Sequence, residues 1–370
     1  MKLTDACPNW FCRAVLIAFA GSGATVWGQT GFTYVADEFS GNVWAYSMDG
    51  TTGALTPVPD SPFPAGTQSV SVTVDPTGQF VYVANGGSNN ISGYGIDQTT
   101  GALTPVPGSP FPAYDAPFSV TVEASGQFAY VANFVHNSIS GYSIDGTGAL
   151  TPLAGSPFSG GGANPRSMTA HPSGQFLYVV ASAGVYALTI NQTTGVLRPV
   201  AGSPFPAGQG PFSVAVDPTG QFAYVANSYS NDVSAYTIDG ITGALTRVAG
   251  SPFPAGLLSI SVTVEPTGQF VYVTNADSNS ISAYSIGGGG ALTPLAGSPF
   301  AAGSSPNAIT TDPTGQFAYV TNSASRNIAG FSIEGTTGAL TPVDGSPFPA
   351  GQLPRSVTTT AGPVPPRAHD

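Results

Sequence analysis

Lysine is almost missing from this 370-residue chain: Lys2 is the only one, and lysine plus arginine total 8 against 19 acidic residues. The resulting formal net charge of −11 repels nucleic-acid phosphates and anionic lipid headgroups, so neither is expected as a partner. Only two cysteines occur, Cys7 and Cys12, both within the first 30 residues. Past that segment, disulfides, a cysteine nucleophile and cysteine-ligated zinc are all excluded. Charged residues make up only 7% of the chain, and the helix formers Lys, Glu and Gln are scarce. No apolar run is long enough to span a bilayer; the longest candidate, "AVLIAFAGSGATV" (14–26), is too short.

That run, with Lys2 and Arg13 before it and Ala18 and Ala20 in an A-x-A arrangement, reads as a secretory leader over residues 1–30. A buried apolar segment is the alternative. An extracytoplasmic location, periplasmic or secreted, is therefore expected, with no membrane insertion of the mature chain.

What the chain has in plenty is Gly (48) and Pro (34), set at regular intervals between runs rich in Val, Thr, Tyr and Phe. The motif "GQF-x-YV" gives the interval: Tyr34, Tyr82, Tyr130, Tyr178, Tyr224, Tyr272 and Tyr319 succeed one another at 46 to 48 residues. Each copy carries four short β signals, which in the second are "SVSVTV" (69–74), "QFVYVAN" (79–85), "ISGYGI" (91–96) and "ALTPVP" (102–107). "DPTG" and "DQTTG" between them suit tight turns. Four strands in about 48 residues is the size of a propeller blade and too long for a solenoid coil.

The first copy lacks its leading strand, and an isolated copy of that strand, "RSVTTT" (355–360), comes after the seventh. The expected fold is therefore an all-β, seven-bladed β-propeller of four antiparallel strands per blade over residues 31–361. The C-terminal strand joins the N-terminal blade, which removes a free sheet edge. Residues 362–370 form a polar tail that contains His369, and a monomer is expected.

Most recurring residues have structural readings in such a ring. The Phe and Tyr of "QFxYV" pack between blades, and the "SPF" phenylalanines (Phe63 through Phe348) form satellite core under the connectors. Asn85, Asn133, Asn227, Asn275 and Asn322 hydrogen-bond backbone at strand ends. Aspartates near glycine suit Asx turns better than calcium, and neither metal nor cofactor is expected.

The repeated "GQFAYVTN" and "GQFVYVAN", after "SVAVDPTG", resemble the YVTN-type repeat. Over residues 31–361 the chain resembles the seven-bladed lactonase family, which includes 6-phosphogluconolactonase-like proteins. The resemblance implies a Pro-Arg-His motif on an inner strand, an H-x-H in a neighbouring blade and an Asn-Glu after the Tyr-Val strand. Here Pro165 and Arg166 are kept, but Ser167 stands in the place of the histidine. "DAPFSV" (115–120) has no histidine and "LYVVAS" (177–182) no Asn-Glu, while Pro354 and Arg355 resemble a second Pro-Arg.

Subtracting one repeat from the next points to the same arginines. The column at the start of the inner strands reads Val70, Phe118, Arg166, Phe212, Ile260, Asn307, Arg355. Its place after the "SPFPAG" connector puts it near one mouth of the central channel, with Arg166 in blade 4 and Arg355 in blade 1, roughly opposite. Blade 4 is also two residues shorter between its second and third strands, which lowers the rim beside Arg166.

Arg166 and Arg355 are thus candidates to bind a carboxylate or phosphate. The alternative is that they bond connector carbonyls or pair with acids such as Asp115. His136, in a loop on the same face, is a weak candidate for catalysis. Asp37 and Glu38, after the first Tyr-Val strand, are others, whereas His171 falls in a turn on the opposite face. No G-x-S-x-G, H-E-x-x-H or P-loop pattern occurs.

The favoured reading is a ligand-binding or surface-interaction module taking a small anionic or sugar-like ligand, or a protein, on the channel-mouth face. The alternative is a lactone hydrolase, a carboxylic ester hydrolase of 6-phosphogluconolactonase type. A regular matrix module is a third possibility.

Overall fold

The computed structural model describes residues 29–361. Cys7, Cys12, most of the leader, the tail 362–370 and His369 lie outside the described residues. Within them the chain forms seven antiparallel sheets arranged as a ring, each with four strands in simple up-and-down order. Blade 2 is typical, with strands Ser69–Val74, Phe80–Asn85, Asn90–Ile96 and Leu103–Pro105 running from channel to rim. Blade 1 is composite: Pro354–Ala361 pairs antiparallel with Gln29–Asp37, so the two ends of the described chain share one sheet.

Each repeat motif has a physical task. The second-strand tyrosine is buried between blades and donates its hydroxyl to a glycine carbonyl in the third-to-fourth strand turn of the next blade. Tyr34 reaches Gly101 at 3.0 Å, Tyr82 reaches Gly148 at 2.9 Å, and so on to Tyr319, which reaches Gly53 across the seam at 2.8 Å. Those glycines adopt φ near +70° to +80° and press against the Phe of "QF" in the preceding blade; a Cβ on Gly101 would overlap the Phe32 ring. Phe32 and Tyr34 accordingly share one core cluster with Val81, Val83 and Tyr94 of blade 2, as expected for inter-blade packing.

Two expectations are corrected. The "SPF" phenylalanines are not satellites: Phe63, Phe111 and Phe158 belong to the inter-blade cores themselves. In five blades the Phe and the residue after it form a two-residue strand on the third strand, as in Phe111–Pro112. The serine of the motif fixes this arrangement, since its Oγ accepts the third-strand amide in every blade, for example Gly93 N–H on Ser109 at 2.9 Å.

The strand-end asparagines mostly bond side chains rather than backbone. Asn85 donates to Asn90 and Ser92 and accepts from Ser69 Oγ at 2.9 Å. Sequence spacing alone does not reveal that the hairpin brings Asn90 opposite Asn85 and Ser92 within hydrogen-bond reach of it.

The first-to-second strand turns are closed by buried carboxylates. Asp75 accepts the backbone N–H groups of Thr77, Gln79 and Phe80, and Glu123, Asp217, Glu265 and Asp312 occupy the same position in other blades. His171 is the blade 4 member of this column. Its Nδ1 accepts the Ser173 amide at 3.0 Å, which leaves Nε2 to donate to the Gly220 carbonyl of blade 5 at 2.9 Å. It is a turn and inter-blade residue, as its column indicates. No group of three or more His, Cys, Asp or Glu suited to a metal ion occurs among the described residues.

Candidate site at the channel mouth

Every inner strand except that of blade 4 begins with a β-bulge that leaves one residue unpaired, as between Pro117 and Ser119 or between Pro354 and Ser356. The unpaired residues are Val70, Phe118, Phe212, Ile260, Asn307 and Arg355. In blade 4 Arg166 holds the same position ahead of Ser167, its backbone N–H bonded to the Val180 carbonyl at 2.9 Å. A bulge bends its strand and re-aims the bulged side chain. Seven such side chains, one per blade, meet at one mouth of the ring.

Five of them, Arg166, Phe212, Ile260, Asn307 and Arg355, line a cavity of about 290 Å³ there, together with Tyr229. The two arginines, from blades 4 and 1, therefore face one space as the column predicts. Arg355 is paired, with Nη1 3.6 Å from a carboxylate oxygen of Glu38 rather than with Asp115. The Arg166 guanidinium has neither a hydrogen bond nor an acidic partner among the described residues. Its central carbon lies 5.1 Å from the Phe134 ring centre and 4.9 Å from that of Phe212, and the Arg355 guanidinium carbon lies 5.7 Å from that of Phe118. Loss of water lowers the Arg166 pKa, nearby Tyr229 offsets part of that, and the like charge of Arg355 lowers it further. Arginine nevertheless stays charged at neutral pH. Among the described residues no acidic side chain lines the cavity itself.

The rim of blade 4 is shorter as expected. Ala181 pairs with Gly184 across the two-residue turn Ser182–Ala183, whereas Asn85 pairs with Asn90 across four residues. His136 does not line the cavity; its ring centre is 4.6 Å from that of Tyr114, and Nδ1 lies 2.8 Å from Ser138 Oγ. Asp37 is fully buried and accepts the backbone amides of Gln352 and Leu353, at 2.7 and 2.8 Å, which ties the last connector to blade 1. Phe134 and Tyr229 were not singled out from the sequence, and Phe212 stood out only as a member of the Arg166 column. The residue after the strand-end Asn, or after Asp37 in blade 1, reads Glu38, Gly86, Phe134, Ser228, Ala276 and Ser323, so Phe134 and Glu38 stand out once that column is aligned as well.

The sequence model of the seven-bladed β-propeller lactonases matches residues 22–113, 112–205 and 184–353. No curated protein sequence matches the chain significantly. Among solved structures, a provisionally assigned 6-phosphogluconolactonase from Bacteroides uniformis superposes with a TM-score of 0.76 at 18% identity, covering 90% of this chain and 100% of its own. The periplasmic gluconolactonase of Pseudomonas aeruginosa gives 0.75 at 19%, with 90% and 99% covered. A Lactobacillus plantarum protein gives 0.75 at 22%, with 90% and 99% covered. At these identities the likeness is one of fold.

Proposed function

Since the chain belongs to the seven-bladed β-propeller lactonase family, we propose that it binds a small organic anion in the channel-mouth cavity, held by the guanidinium groups of Arg166 and Arg355. The observation that carries this reading is the state of Arg166: a half-buried cation with no counter-charge among the described residues, facing a second arginine across the same cavity. A cation taken partly out of water needs compensation, and the Phe134 and Phe212 rings supply only some of it. A carboxylate or phosphate bound through two N–H groups would supply the rest.

Replacing Arg166 with Gln should weaken binding of the anion about tenfold or more while leaving thermal stability unchanged or slightly raised. Titration calorimetry with gluconate, 6-phosphogluconate and a panel of simple carboxylates checks this. Unchanged binding of every anion together with a lowered melting temperature would make Arg166 structural instead.

Lactone hydrolysis is the second reading, supported by the family and by the Glu38 carboxylate next to Arg355. In that scheme Glu38 takes a proton from water as its oxygen attacks the lactone carbonyl, an arginine stabilises the oxyanion, and on its collapse the ring C–O bond breaks while Glu38 returns the proton to the departing oxygen. Glu38→Gln would then abolish acid release from lactones yet keep product binding. The first reading is preferred because the Glu38 carboxylate is held by an arginine and His136 stands outside the cavity.

An extracytoplasmic, monomeric protein fits both readings. A leader-like segment over residues 1–30 and the periplasmic origin of the Pseudomonas neighbour support that location. Among the described residues no helix is long and apolar enough to cross a membrane.

A further inference from the structure

Granting the anion site above, we propose that its ligand is an amphipathic carboxylate with a flat apolar body, such as an arylalkanoate, and not a polyhydroxylated sugar acid. Three observations converge. The first is the aromatic array around the cations. Phe118 lies 5.5 Å from Phe134 and 6.2 Å from Phe212 between ring centres, and these three rings flank both guanidinium groups. Rings against the guanidinium of Arg166 leave its in-plane N–H groups to the ligand's carboxylate, and Phe212, which lines the cavity, offers an apolar surface to whatever is attached to it.

The second is the poverty of free polar groups in the wall. Leu258, Ile260 and Ala276 are apolar, Ser228 Oγ already donates to the Gly210 carbonyl at 2.9 Å, and Ser323 Oγ to the Ser305 carbonyl at 3.0 Å. A sugar acid brings a hydroxyl on nearly every carbon, and each one buried without a partner is costly. Asn307 and a few hydroxyls cannot satisfy so many.

The third is the rim. The second-to-third strand loops and the connectors around this mouth expose Phe39 (71%), Tyr229 (70%), Leu257 (57%) and Tyr114 (42%). Tyr229 lines the cavity itself and Leu257 adjoins Leu258 of its wall, so apolar surface continues outward on that side of the cavity.

Calorimetry on the full chain with phenylacetate, 4-phenylbutyrate, phenylacetamide, gluconate and 6-phosphogluconate tests this. The arylcarboxylates should bind at least about tenfold more tightly than the two sugar acids, and the neutral amide more weakly than phenylacetate by a similar factor. Phe212→Leu and, as a second probe, Phe134→Leu should each weaken arylcarboxylate binding about threefold to thirtyfold. Binding of the sugar acids should change by a smaller factor than that of the arylcarboxylates, and melting curves establish that both variants fold. Tighter binding of gluconate or 6-phosphogluconate overturns the inference and leaves the anion site standing. Equal binding of phenylacetamide and phenylacetate overturns it as well, because the charge then plays no part. If no anion binds at all, both readings fall together.

Discussion

Ser69 illustrates how single residues decide whether a buried polar group is satisfied. Its hydroxyl donates to Asn85 Oδ1, and in blade 6 Ser259 does the same for Asn275. In blades 3, 5 and 7 the corresponding residues are Pro117, Pro211 and Pro306, and there Asn133, Asn227 and Asn322 keep a buried Oδ1 with no partner. Substituting Ser69 with Ala should reproduce that orphan in blade 2 and destabilise the protein by about 1–3 kcal/mol, read as a lowered urea midpoint at unchanged slope. Pro211→Ser should be close to neutral. The new donor contributes about 1 kcal/mol, and the lost proline constraint on the unfolded chain removes a similar amount. If both substitutions proved neutral, the asparagine network would carry no net stability. The distinction between the two kinds of blade is already present in the sequence as Ser or Pro at one column. It becomes legible only when the register shows that this column faces the asparagine.

At the scale of the element, the bulge and the short hairpin shape the site. The two-residue deficit of blade 4 could be counted from the tyrosine spacing, and "VVASAGVY" located it between the second and third strands. The bulge could not be read, because an unpaired residue leaves no compositional trace when Val, Phe, Ile, Asn and Arg all fill it. The column and its place at the channel mouth were therefore found, while the bulges behind it were not. Tyr186 shows the local consequence of the deletion: Ala181 replaces the asparagine, and the Tyr186 ring packs where a Cβ on Gly162 would sit. Inserting two residues between Ser182 and Ala183 restores the length of the other blades. Surface loops tolerate such insertions at a cost of well under about 1 kcal/mol, so folding should survive. Anion binding should weaken severalfold as the raised rim narrows access to Arg166. A calorimetric affinity equal to the parent's would mean that the short turn has no bearing on the site.

Across the whole molecule, stability depends on a closed circuit of inter-blade contacts, and the sequence revealed that circuit most fully because a displaced strand copy has few other uses. At the seam, Tyr319 bonds Gly53, Tyr46 bonds the Pro349 carbonyl at 2.6 Å, and Ser356 Oγ accepts the Val72 amide at 3.2 Å. The tyrosine ring also makes the fold sensitive to alkali. Burial pushes the phenols of Tyr34, Tyr82, Tyr130, Tyr178, Tyr224, Tyr272 and Tyr319 well above their ordinary value, and that of third-strand Tyr284 to about 12. In the unfolded chain they ionise near pH 10. A folded pKa above the unfolded one contributes stability that is complete below about pH 10 and declines as the pH rises towards the folded value. Each such tyrosine then removes about 1.4 kcal/mol per pH unit. Seven of them acting together should drive cooperative unfolding within the first one or two units above about pH 10. Phenolate absorbance and circular dichroism tracked on one alkaline titration decide the point. Ionisation of the buried tyrosines should coincide with loss of the β signal, and more phenolate than the exposed Tyr114 and Tyr229 can supply, appearing while the β signal persists, would mean that the blades open individually and the ring does not act as one unit.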